Sequence, residues 1–179
     1  MSEMSAPSHL EKIAEGKARK DEGNEFFKTG DYVKAMTKYH EAILFLSGLS
    51  GGEGMLPGIS TGQKPLGENE KLEVQKTLAI CYSNMAACHI KNQRWERATM
   101  YADKALTADP SNVKARFRRA QSLLNQGNLN RAEEDLKKLL ADSPKDPLVR
   151  REYEILKQRY KEQDERQRKE FAGMFDKMK

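Results

Sequence analysis

KARKDEGNEFFKTGDYVKAMTKYHEAI, running from Lys17 to Ile43, is too polar for a core segment. Yet small and aromatic residues return in it at fixed places: Gly23, Phe27, Gly30, Tyr32, Ala35, Tyr39 and Ala42. Two later stretches, Ile80 to Ala105 and Lys114 to Leu139, carry the same spacing. Shifted by 34 residues, the second falls on the third: Ala86 on Ala120, Trp95 on Leu129, Ala98 on Ala132, Ala102 on Leu136, Ala105 on Leu139 and Pro110 on Pro144. The first falls on the second at a shift of 63, which is 34 plus 29. Gly23 then meets Ala86, Phe26 meets His89, Tyr32 meets Trp95, Ala35 meets Ala98, Tyr39 meets Ala102 and Ala42 meets Ala105. The chain is therefore an array of a 34-residue unit, with 29 extra residues between copies one and two.

A unit of that length is two antiparallel helices. Small residues (Gly23, Ala86, Ala120; Ala35, Ala98, Ala132) let the pair approach closely, and large ones (Tyr32, Trp95, Leu129; Tyr39, Leu136) fill the groove to the next helix. Gly30 and Gly127 end first helices in the left-handed conformation that costs glycine nothing. Pro110 and Pro144 end second helices; in copy one Ser47 takes that place, so its second helix runs on a little. No unit buries its apolar face alone, and stacking supplies the core. The composition agrees: 33% charged and 37% hydrophobic, with few β-branched residues, predicts a thin all-α structure with much surface.

The expected organisation is a disordered N-terminus over 1–8, then three repeats within 9–144, at about 15–48, 79–112 and 113–146. An insertion covers about residues 49–78. Its stretch SGLSGGEGMLPGISTGQKPLG, rich in Gly, Ser and Pro, reads as a loop, and GISTGQK lacks the ending of a phosphate-binding loop. From Glu68 the sequence is helical without a break, which lengthens the next first helix by about three turns. Residues 145–179 form a long final helix, Asp146 to Lys177, whose stripe Val149, Tyr153, Leu156, Tyr160 caps the array. Lys161 to Glu170 has no apolar residue and projects into solvent. Phe171, Met174 and Phe175 then make either a second contact patch or a frayed tail.

Several function classes are disfavoured. The net charge of +5 suits an acidic partner, but Lys and Arg are interleaved with Asp and Glu, so nucleic acid is not expected. No apolar run approaches the ~20 residues that span a bilayer, and the N-terminus lacks the apolar stretch of a signal peptide. Cys81 and Cys88, seven residues apart on one helix, are too far apart for a disulfide and read as buried thiols in a reducing compartment. His9, His40 and His89 do not cluster, no nucleophile motif is present, and neither enzyme activity, metal nor cofactor is expected.

The telling residues lie on the first helices, which line the concave face of a stacked array. Lys20 and Asn24 are four apart on one, Lys114 and Arg118 four apart on another, and Asn84 stands 34 residues before Arg118. Two ammonium groups, a guanidinium and two amides can surround a pair of carboxylates, such as a C-terminal Asp presents. Phe27, Met85, Phe117 and Gln121 are candidates for the rest of the groove, Phe27 and Phe117 being equally candidates for the core.

The 34-residue pattern resembles the tetratricopeptide repeat, over roughly Lys17 to Pro144. The resemblance implies a right-handed superhelix. KDEGN, YSNMA and KARFRRA place Lys20, Asn24, Asn84, Lys114 and Arg118 where co-chaperone domains of that family carry a carboxylate clamp. In those relatives the clamp binds the terminal Glu-Glu-Val-Asp of heat shock protein 90 or 70. The three repeats, the insertion and the ending KEFAGMF also resemble the large immunophilins, whose terminal helix has been linked to calmodulin. Only sixteen residues precede Lys17, so isomerase activity is not carried over; the chain looks like a stand-alone relative, such as the small tetratricopeptide repeat domain nine family, or an excised domain. The expectation is a cytoplasmic or nuclear co-chaperone adaptor. The alternative is a general scaffold that binds an internal helix or loop of another protein.

Overall fold

A computed structural model describes residues 8–49 and 66–176. Among the described residues there are seven helices and no strand: α1 His9–Lys28, α2 Tyr32–Ser47, α3 Glu68–Lys91, α4 Trp95–Ala108, α5 Val113–Asn125, α6 Leu129–Asp142 and α7 Pro147–Asp176. Each helix packs on the next, and α1 also touches α3, α3 touches α5 and α5 touches α7. No such contact joins α2 to α4 or α4 to α6 among the described residues. The first helices therefore crowd together and the second helices splay apart, which puts α1, α3 and α5 on the concave side.

The repeat is written in the backbone hydrogen bonds. Asp31 N–H donates to the Phe26 carbonyl at 3.0 Å, Arg94 to His89 at 2.9 Å and Asn128 to Leu123 at 2.9 Å. These are the same six-residue closure at shifts of 63 and 34, and each ends a first helix. The closure needs one residue at positive φ. Gly30 (82°) and Gly127 (76°) meet that need freely, but the middle repeat uses Gln93 at 55°.

Packing inside the first repeat depends on two glycines. A Cβ at Gly23 would lie 2.6 Å from Cε1 of Tyr39, and one at Gly16 would lie 2.7 Å from Cγ of Leu46. Any side chain there would push α1 off α2. The third repeat instead buries Leu123, Leu136, Leu139, Val149 and Leu156 in one cluster between α5, α6 and α7, with Tyr153 and Tyr160 packed against it. The expected capping stripe of α7 is thus in place.

The first repeat differs from its expected bounds. α1 begins at His9 rather than near residue 15. Ser8, counted above with the disordered terminus, is its N-cap: Glu11 N–H donates to Ser8 Oγ, and Ser8 N–H donates to the Glu11 carboxylate at 2.7 Å. That hydrogen bond holds the Glu11 carboxyl below its usual range. The added turns are not idle. Ile13 packs with Leu46, Leu66, Val74 and Leu78, and Lys17 pairs with Glu73. The extension of α3, 24 residues against 13 in α5, so gains a partner in the extension of α1. Residues 1–7, 50–65 and 177–179 lie outside the described residues, and with them most of the expected disordered terminus and inserted loop.

Cys81 and Cys88 are free and buried, and burial pushes their thiols up to about 12 and about 11.

Candidate functional site

The first helices enclose a concave cavity of about 550 Å³. α1 contributes Asp21, Asn24, Glu25, Phe27 and Lys28; α3 contributes Ile80, Ser83 and Asn84; α5 contributes Lys114 and Arg118, with Asn112 at its start and Tyr39 of α2 behind. Four of the five candidate donors therefore line one space. The fifth, Lys20, flanks it and pairs with Asp21 at 3.1 Å.

The polar groups are linked in a chain. Tyr39 hydroxyl and Asn84 Nδ2 both donate to Asn24 Oδ1, each at 2.9 Å. Arg118 Nη1 donates to Ser83 Oγ at 2.5 Å and to Asn84 Oδ1 at 3.3 Å. Asn24 Nδ2 reaches Asp21 Oδ1 at 3.4 Å. This chain fixes the orientation of both amides, and both residues line the cavity. It spans three repeats without a carboxylate partner for Arg118. Burial lowers the pKa of that guanidinium, although arginine remains charged at any physiological pH. Lys114 is exposed, and among the described residues no carboxylate lies within ion-pair distance of it or of Arg118. An arginine set deep in a wall and left without a counter-ion is a site for an anion from outside.

The other candidates divide. Phe27 lines the cavity, with its ring 5.3 Å from that of Tyr32. Met85 does not: it is fully buried with Ala35, Tyr39 and Cys88, and this corrects its assignment to the groove. Adjacent residues on a helix differ by ~100° in direction, so Asn84 facing the groove turns Met85 toward α2. Phe117 packs against the α5–α6–α7 cluster, and Gln121 donates to Glu152 of α7 at 3.2 Å; neither lines the cavity. At the far end of α7, Phe171 and Met174 are 64% and 62% exposed, while the side chain of Phe175 lies outside the described residues.

Sequence reasoning missed Tyr39 as a groove hydrogen-bond donor, and it missed Ser83, Ile80 and the acids Asp21 and Glu25. The signal was available for several of them. Position 84 minus 63 is 21 and position 114 minus 34 is 80, so Asp21 and Ile80 stand in register with clamp residues. Tyr39 carried no such signal, because its ring belongs to the helix pair and only its hydroxyl reaches through.

Residues 89–151 match the tetratricopeptide repeat family. The chain resembles the C-terminal repeat domain of a Plasmodium falciparum protein described as FK506-binding, at 29% identity and a TM-score of 0.71, over 89% of this chain and 97% of that one. It resembles the second such domain of human RPAP3, solved with the HSP70 peptide SGPTIEEVD, at 25% identity and 0.60, over 82% and 98%. It also resembles the myosin chaperone UNC-45 of C. elegans, solved with an Hsp90 peptide, at 28% identity and 0.59, over 83% of this chain and 14% of that one.

Proposed function

We propose, from the premise that this chain belongs to the tetratricopeptide repeat family, that its groove docks the free acidic C-terminus of a heat shock protein 90 or 70 chaperone, and that the chain is a co-chaperone adaptor. The observation that carries the reading is Arg118, set into the wall without a counter-ion, with Lys114 on the same cavity and Asn24 and Asn84 held by the same hydrogen-bonded chain. A terminal Asp brings a main-chain and a side-chain carboxylate separated only by its Cα and Cβ, two anionic groups that can meet donors from different helices together. Each charge-assisted bond contributes about 1.5–3 kcal/mol. Association itself costs about 4–15 kcal/mol, so a short peptide is expected at about micromolar strength. The groove is open to water, and binding weakens with salt. Two similar proteins, from human and from C. elegans, were solved with such peptides, which supports the reading.

Calorimetric titration with the peptide MEEVD, and with the same peptide amidated at its C-terminus, tests it. The expected outcome is that the free acid binds and the amide does not. Equal binding of both would favour the scaffold reading, in which a terminal carboxylate is irrelevant. Two buried thiols suit a reducing compartment, and the cytoplasm is the proposed location. A calmodulin contact would fall on the exposed Phe171 and Met174 of α7.

A further inference from the structure

We infer that Asp21 is an internal competitor for the groove: its carboxylate holds the first-repeat donors in place of a ligand and thereby sets how many carboxylates the ligand must bring. The inference rests on the docking reading above. Asp21 occupies the register that carries Asn84 on α3 and Arg118 on α5, since 21 plus 63 is 84 and 84 plus 34 is 118. The position that supplies donors to the groove in two repeats thus supplies a carboxylate in the other.

The contacts match that substitution. One oxygen, Asp21 Oδ1, receives Lys20 Nζ at 3.1 Å and Asn24 Nδ2 at 3.4 Å. An ammonium and an amide converging on one carboxylate oxygen is the arrangement assigned above to the ligand. Asp21 lines the cavity but its side chain is 67% exposed, so it can turn into solvent when another anion arrives. Exposed ion pairs are weak, so displacement is easy for a ligand that brings two carboxylates and hard for one that brings a single weak acceptor. Glu25 is the built-in comparison. It lines the same cavity, but its partner is Lys28 at 2.7 Å rather than a candidate clamp donor.

The test is calorimetric titration of MEEVD into the wild type, Asp21→Ala, Glu25→Gln and Lys20→Ala/Asp21→Ala. Asp21→Ala is expected to tighten binding about two- to five-fold. Glu25→Gln should give a smaller gain, because it removes only long-range repulsion. Adding Lys20→Ala should cancel most of the Asp21→Ala gain, since the competition runs through that amine. Wild-type binding unchanged in Asp21→Ala, or a gain no larger than that of Glu25→Gln, overturns the inference and leaves the docking reading standing. Failure of both the wild type and Asp21→Ala to bind overturns the two together.

Discussion

The first-repeat and third-repeat walls of the groove are equivalent helices with opposite internal economies. On α1 the groove-facing donors, Lys20 Nζ and Asn24 Nδ2, are already engaged by Asp21, and Asn24 Oδ1 accepts from Tyr39 and Asn84. On α5, Lys114 and Arg118 face the cavity without a carboxylate. Behind the walls the pattern reverses. α1 rests on α2 through close contacts of Gly16 and Gly23 with Leu46 and Tyr39. α5 rests on a buried charge: Arg119 donates to both oxygens of Asp135, each at 2.7 Å, and to Asp103 at 2.7 Å, while Asp135 is 1% exposed. Positions 22, 85 and 119 are in register, yet carry Glu, Met and Arg. The repeat specifies where a side chain points; each pair of neighbours decides what chemistry goes there.

The largest expected effect is in the third repeat. Asp135→Ala removes two of the charge-assisted bonds of the partly buried Arg119 and leaves it Asp103 alone, and should cost about 3–5 kcal/mol in urea unfolding. Loss of less than about 1 kcal/mol, the range of exposed ion pairs, would break the contrast between the two walls. Next comes binding. Arg118→Ala should weaken MEEVD by about 2–5 kcal/mol, whereas Lys20→Ala should cost less than about tenfold, because Lys20 must first leave Asp21. Equal losses by calorimetry would mean that the walls contribute alike.

In the first repeat, Gly23→Val forces atoms against the Tyr39 ring and should destabilise by about 1–3 kcal/mol. Its peptide affinity should fall as well, since Tyr39 orients Asn24; stability lost without any change in affinity would separate packing from the groove. Smaller still is the turn between them. Gln93→Gly relieves left-handed strain and should stabilise by about 1 kcal/mol, read as a raised urea midpoint.

The most graded effect is acid. His89 is buried, its Nδ1 has no partner among the described residues, and its ring stacks on Tyr101 at 5.2 Å. Burial first, then Arg97, Arg94 and His40, lowers its pKa below the ordinary 6.5. His40, which meets Tyr101 edge-on, is lowered by burial and Lys104. As pH falls through 6.5 the unfolded chain takes up protons that the folded one refuses, so stability declines toward acid. His89→Phe should flatten the urea midpoint between pH 7 and 5; an unchanged slope would assign it elsewhere.

Much of this was legible in the sequence, because a repeat tests itself. A residue meets the same neighbours one unit later, so the shifts of 34 and 63 located the repeat helices and the turns at Gly30 and Gly127, while the unbroken helical stretch after the Gly- and Pro-rich insertion located the start of α3 at Glu68. Four of the five donors were brought to one cavity. The misses have separate causes. Met85 adjoins Asn84, but one step along a helix turns a side chain to another face, here into the core. Gln93 was invisible because glycine is the only residue whose identity announces a positive φ.

The sequence by itself determined the period, the helix pairs and the set of donors, since these follow from local spacing and from small residues recurring where helices must approach. Only the tertiary structure decided which donors remain free. Whether Arg118 meets a carboxylate, or Asp21 reaches Lys20 and Asn24, depends on distances of a few ångströms between helices, and no periodicity in a chain encodes those.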